Sequence, residues 1–146
     1  MPTMAALCPC KAYLAAAVKD GKQALTKDHR TRIKEKASTK INASIDFDEA
    51  TRLGFPQSAR WDYLLEVKLA KTPTKTIAIE FHSVNLSELM NKQRDSKLIL
   101  GIECDPIPKI SEWILVPEGN IGGFALAVRR KLQQQGIKTA GRVFEI

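Results

Sequence analysis

Between Arg60 and Leu69 the chain alternates with a period of two. Trp61, Tyr63, Leu65, Val67 and Leu69 fall on one side, and Arg60, Asp62, Leu64, Glu66 and Lys68 on the other, which predicts a strand. Lys71-Thr72-Pro73-Thr74-Lys75 is a turn of hairpin length, and Thr76 to Val84, rich in β-branched residues, predicts a second strand paired antiparallel with the first. Upstream, Ile41, Ala43, Ile45 and Phe47 alternate as a short strand leading to Asp48, a cap for a helical turn through Arg52 that Gly54 and Pro56 close. Downstream, Asn85 followed by Glu88 has the form of a capping box. It predicts a helix from Leu86 to about Leu98, with Leu86, Leu89, Met90, Leu98 and Leu100 as its buried stripe.

The unbroken apolar run Trp113-Ile114-Leu115-Val116 suits a strand covered on both faces, as in the interior of a parallel sheet. Gly122 to Gln135 reads as a helix with Gly136 at a left-handed C-terminal cap, and Arg142 to Ile146 as a closing strand. Lys11 to Val18 and Gln23 to Lys36 read as helical, broken near Gly21. Helices crossing between strands predict an α/β fold: a mixed central sheet with an antiparallel hairpin and helices on both faces. The 146 residues fit one domain, divided into a basic helical N-terminal segment (1–40) and an α/β core (41–146).

No apolar run approaches the roughly 20 residues of a membrane span, and Met1 to Cys10 lacks the pattern of a signal peptide, so a cytoplasmic protein is expected. Cys8, Cys10 and Cys104 form no even framework and are expected to be reduced; with His29 or His82 they match no zinc-ligand spacing. The net charge of +7 is concentrated. Lys19, Lys22, Lys27, Arg30, Arg32, Lys34, Lys36 and Lys40 face Asp20, Asp28 and Glu35, a net of +5 within 22 positions. Such a concentration attracts polyanions, although a solvated helix face would look the same.

The chemistry points to the hairpin. Thr76, Ala78, Glu80, His82 and Val84 share one face of the second strand. A turn centred near Thr72 makes paired positions sum to about 144, setting Asp62 near His82 and Glu80 near Leu64, and any even sum keeps both acids on one face. Two carboxylates on an otherwise apolar surface call for a positive partner. Oxygen ligands suit Mg²⁺, which activates water and stabilises charge on a phosphodiester, whereas pairing of Asp62 with Arg60 or Lys68 would need no metal.

Arg60-Trp61-Asp62-Tyr63, some seventeen residues before Ile79-Glu80-Phe81-His82 and followed by a helix and an apolar strand, resembles the PD-(D/E)XK nucleases of the restriction-endonuclease-like fold, especially small bacterial members with an Asp and a Glu-x-His at those places. The resemblance implies Asp62 and Glu80 as ligands of Mg²⁺ or Mn²⁺, with the Phe81 carbonyl as a third. It departs at His82, which stands where the family has lysine, and no Pro precedes Asp62. Some members take the lysine from the following helix, where Lys92 is the candidate unless it pairs with Glu88 on the surface. The implied activity is metal-dependent hydrolysis of nucleic acid, DNA ahead of RNA, with Asp62, Glu80, His82 and Lys92 as catalytic residues and a homodimer as one assembly. The alternatives are a non-catalytic member of the fold that binds nucleic acid or a protein, and a scaffold that docks its basic segment on an acidic partner. Gly119 to Gly123 opens a helix but lacks the spacing and Lys of a phosphate-binding loop.

Overall fold

In a computed structural model, which describes residues 2–81, 85–117 and 126–146, the chain runs through a 3-10 turn (Ala5–Leu7), α1 (Ala12–Ala16), β1 (Lys19–Asp20), α2 (Lys27–Thr31), β2 (Ile33–Lys34) and β3 (Thr39–Asp46). It continues through α3 (Phe47–Thr51), β4 (Tyr63–Leu69), β5 (Lys75–Phe81), α4 (Leu86–Glu103), β6 (Glu112–Val116), α5 (Leu126–Gln134), β7 (Ile137–Thr139) and β8 (Phe144–Glu145). Six strands form a mixed sheet in the order β1-β3-β4-β5-β6-β7. β1, β3, β4 and β5 pair antiparallel, and β6 and β7 then pair parallel beyond β5 after the α4 and α5 crossovers. The mixed α/β sheet thus follows the predicted hairpin and the predicted buried strand at Trp113–Val116.

Strand alternation sorts the core into two clusters. Leu64, Ala78, Ile45, Trp113 and Leu115 pack with Leu14 of α1, Phe47 of α3, Leu89, Ile99 and Leu100 of α4 and Leu132 of α5. Tyr63, Leu65, Val67, Ile77, Ile79 and Phe81 pack on the opposite side with Leu25, Ile33 and Phe144. Helices thus lie on both faces, but unequally. The longer helices gather on one face, while the other is covered by the short α2 and by a separate parallel pair, β2 with β8.

Other boundaries differ for local reasons. The expected helix over Gln23–Lys36 shrinks to α2, because Thr26 caps it by accepting the His29 N–H (3.3 Å) and the chain then turns extended to pair Ile33 and Lys34 with β8. Gly21, at φ 49°, makes the turn out of β1, and Gly136, at φ 74°, takes the predicted left-handed position after α5. Asp46 rather than Asp48 caps α3, accepting the Glu49 N–H at 3.0 Å. α4 runs on to Glu103. Its buried face is Leu89, Gln93, Ser96, Ile99, Leu100 and Glu103, leaving Leu98 58% exposed, since polar residues that bond to neighbouring elements take core positions from a leucine. β8 closes the small pair instead of the main sheet, whose edge is β7.

The cysteines are corrected too. Cys10 and Cys104 are joined by a disulfide, and Cys8 is exposed with a free thiol. Linear spacing gave no sign of this, because the pair stands at a sequence separation of 94. The Lys11 N–H donates to the Glu103 carbonyl (2.9 Å) and the Asp105 N–H to the Pro9 carbonyl (3.1 Å), bringing the two thiols together. Among the described residues no helix is long and apolar enough to cross a membrane.

Candidate active site

Tyr63 pairs with Ile79 and Leu64 with Ala78, so paired positions sum to 142 rather than 144. The even parity holds, and with it the shared face of the two acids. The partner changes: Ala78, not Glu80, lies beside Leu64, and the register carried one residue further sets Asp62 opposite Glu80. Trp61 leaves the predicted pattern. It precedes β4 and turns to the α4 face, where its ring meets Trp113 edge-on at 5.1 Å.

The two acids are tied by main chain. The Asp62 N–H donates to Glu80 Oε1 (3.0 Å), and the Phe81 N–H donates to Asp62 Oδ2 (2.9 Å). α4 supplies the cation: Asn85 caps its first turn by accepting the Glu88 N–H (3.2 Å), and one turn later Lys92 Nζ lies 2.6 Å from Glu80 Oε2. Lys92 therefore makes its short ion pair with Glu80, not with Glu88 on the surface. Asp62, Glu80 and Lys92, named separately from the sequence, converge. His82, the fourth candidate, lies outside the described residues, as does the Gly119–Gly123 stretch. Phe81 ends β5 with its ring on the opposite face, in the second cluster.

α4 also holds the segment that leads into Asp62. Ser96 Oγ accepts the Trp61 N–H (2.8 Å), and Asp95 Oδ2 accepts the Ala59 N–H (2.9 Å). Arg60, one of the two residues whose pairing with Asp62 was the alternative to a metal, instead bonds Asp48 Oδ1 (2.9 Å) and the Ser58 carbonyl (2.8 Å). That leaves the Asp62 carboxylate to the site.

The electrostatics follow from burial. Glu80 has no exposed surface. Desolvation, then the charge of Asp62, pushes its carboxyl up to about 8 against the pull of Lys92. Asp62 is raised as well, by burial first, with the Phe81 N–H, Lys92 and the more distant His29 working the other way. Burial disfavours the Lys92 ammonium, but Glu80, by charge and hydrogen bond, more than offsets it, so that lysine is raised. The site thus holds more carboxylate than one ammonium balances.

Among the described residues no three His, Cys, Asp or Glu side chains come together as a metal-binding group. A cation here would rest on two carboxylates and a main-chain carbonyl, with water or substrate completing the shell, the habit of Mg²⁺.

His29 matched no ligand spacing in the sequence and had no role there. It lies on α2, with its ring stacked on Phe81 at 4.1 Å and its Nδ1 hydrogen-bonded with the Tyr63 hydroxyl at 2.9 Å. No linear signal links position 29 to positions 63 and 81. The basic segment it belongs to is folded onto the sheet, with Lys19, Lys27, Lys34, Lys36 and Lys40 exposed and Arg32 buried. No family model, curated protein or solved structure matches this chain.

Proposed function

We propose that this chain is a metal-dependent nuclease of the restriction-endonuclease-like fold, of the PD-(D/E)XK type, hydrolysing phosphodiester bonds of nucleic acid. The observation that carries this reading is the convergence of Asp62, Glu80 and Lys92 on one face of adjacent strands, with Lys92 arriving from the next helix. The order of elements supports it: an antiparallel β3-β4-β5 meander, a helix, then β6 parallel to β5, with the acids on the second and third of those strands or just before them.

Asp62, Glu80 and the Phe81 carbonyl would hold Mg²⁺ or Mn²⁺. The cation, when bound, would lower the pKa of a water and stabilise charge on the phosphoryl oxygens. Lys92 takes the role that the family's lysine plays on β5: its ammonium orients the attacking water and offsets charge growing on the phosphate. His82 joins this set by its position in the sequence. The exposed lysines of residues 19–40 attract the phosphate backbone, with DNA ahead of RNA.

One observation favours the rival, a non-catalytic member of the fold that binds nucleic acid or a protein. Lys92 Nζ already lies 2.6 Å from Glu80 Oε2, so the ammonium occupies a carboxylate oxygen that a metal would need. Purified protein incubated with plasmid DNA, single-stranded DNA and RNA in Mg²⁺ or Mn²⁺ separates the two. Cleavage by wild type that Asp62→Ala and Lys92→Met abolish is the expected result. No cleavage of any substrate with either metal, alongside salt-dependent binding that Asp62→Ala leaves intact, would overturn the nuclease reading for the rival.

A further inference from the structure

Tyr63 follows Asp62 in the chain and Phe81 follows Glu80, and one side chain on the far face of the sheet holds both. The His29 ring lies parallel to the Phe81 ring (centroids 4.1 Å apart, 4° between planes) and edge-on to Tyr63 (5.6 Å, 81°), while its Nδ1 hydrogen-bonds with the Tyr63 hydroxyl at 2.9 Å. Tyr63 and Phe81 themselves meet edge-on at 5.8 Å. The clamp extends one turn along the chain. Arg32 sets its guanidinium 5.3 Å from the Phe81 ring centre, donates from Nε to the Arg142 carbonyl (3.0 Å) and from Nη2 to the Pro117 carbonyl just after β6.

We propose that His29 is a positioning residue of the candidate active site, stapling the ends of β4 and β5 from behind so that Asp62 and Glu80 keep their reciprocal main-chain bonds. Its catalytic meaning rests on the nuclease reading. His29 acts by leverage. Asp62 stands just outside the β4–β5 ladder, and the bonds that fix it to Glu80 and Phe81 lie at a strand end, where pairing frays unless something else holds it. The stack and the hydrogen bond act on the residue next to each acid. A displacement there passes directly into the spacing of the two carboxylates, on which catalysis depends steeply. On this reading the basic segment is more than a guide for a polyanion: it carries part of the frame of the site.

The test compares wild type with His29→Ala, His29→Leu, His29→Asn and Tyr63→Phe. Three properties are measured on each: thermal unfolding, amide hydrogen exchange at Asp62 and Phe81, and Mn²⁺-dependent cleavage of plasmid DNA resolved into kcat and KM. His29→Ala is expected to speed exchange at those two amides and to lower kcat roughly ten- to a hundredfold with KM unchanged. His29→Asn, which can present a polar atom near the Nδ1 position, should recover more of both than the apolar His29→Leu. Tyr63→Phe removes the hydroxyl that bonds His29 and also Thr26, and it should reproduce part of the effect, which covers the case of a His29→Ala protein that does not fold. Unchanged exchange at Asp62 and Phe81 in both His29→Ala and Tyr63→Phe overturns the inference, as does faster exchange with undiminished kcat. A wild type that cleaves nothing, yet shows faster exchange at those amides on substitution, removes the nuclease reading and leaves the staple standing.

Discussion

Lys92 and Glu80 form an ion pair at 2.6 Å in which the carboxylate is wholly buried and the lysine side chain is 16% exposed. Such a pair is costly to break and of little net value to keep. Glu80→Leu strands the Lys92 ammonium and should lower stability by about 3–5 kcal/mol. Lys92→Met should cost less, about 1–3 kcal/mol, because Glu80 can take up a proton instead of remaining as an unpaired charge. The double variant should return to within about 1 kcal/mol of wild type. Urea unfolding at pH 9, above the value of about 8 to which Glu80 is raised, measures all three, and strictly additive losses would mean that the two groups are not coupled.

The pH dependence of stability has a definite sign. Glu80 is raised to about 8 and Asp62 is raised in the same direction, so the folded protein holds protons that the unfolded chain has already released. Their unfavourable contribution is absent below the ordinary carboxylate range and grows as pH rises from about 4.5 to about 8. Glu112 acts oppositely: burial works against its charge, but Lys138 and Lys75 hold it below the usual range, so it stabilises above that range and is lost in acid. The melting temperature should therefore peak in mildly acidic solution and decline toward pH 8. Mn²⁺, which needs deprotonated ligands, should raise it more at pH 8 than at pH 6. A melting temperature that climbs steadily from pH 5 to pH 8 without metal would contradict the assignment of Glu80 as a buried, proton-holding acid.

Ser96 is nearly fully buried and accepts the Trp61 N–H at 2.8 Å, joining α4 to the residue before Asp62. Ser96→Ala leaves a buried main-chain donor unsatisfied and should lower stability by about 1–3 kcal/mol. Ser96→Thr, which keeps the hydroxyl, should lose less. Denaturant midpoints of the two variants, compared under identical conditions, decide the matter.

The Cys10–Cys104 disulfide closes a loop across a separation of 94 residues. Chain entropy for a loop of that size amounts to about 4–5 kcal/mol. Cys10→Ser, or wild type held in excess dithiothreitol, should melt well below the oxidised protein, whereas Cys8→Ser should melt with wild type. A melting temperature insensitive to reductant would show that the packing of Met4, Leu7 and Leu14 in the core suffices to hold the N-terminal segment.

Under the nuclease reading, Lys27 is exposed on the same short helix as His29 and is well placed to meet a phosphate. Lys27→Ala should reduce the slope of log affinity against log salt by about 1 for duplex DNA, with kcat unaffected. Fluorescence anisotropy over a salt series measures this, and an unchanged slope would exclude Lys27 from the interface.

Much of the core was legible along the chain. The two-residue period from Arg60 to Leu69, the β-branched stretch from Thr76 to Val84, the cap at Asn85 and the apolar run at Trp113–Val116 are local signals, and over the described residues they became β4 (Tyr63–Leu69), β5 (Lys75–Phe81), α4 and β6. In the N-terminal 40 residues α1 and α2 fall within the expected helices, but the rest departs from them because its conformation depends on distant partners. Ile33 and Lys34 are extended only because Phe144 and Glu145 lie alongside, and Cys10 is oxidised only because Cys104 arrives beside it.

The sequence by itself determined the alternation that put Asp62 and Glu80 on one face, since parity survives a shift of register by two. Tertiary structure decided what surrounds them. It set Glu80 opposite Asp62 rather than beside Leu64, turned Lys92 inward to a buried carboxylate and laid His29 behind the two strand ends. Periodicity reports which side of an element a residue occupies, because that depends on backbone geometry alone. Which groups meet across elements depends on loop lengths, crossovers and packing, and none of these leaves a period in the chain.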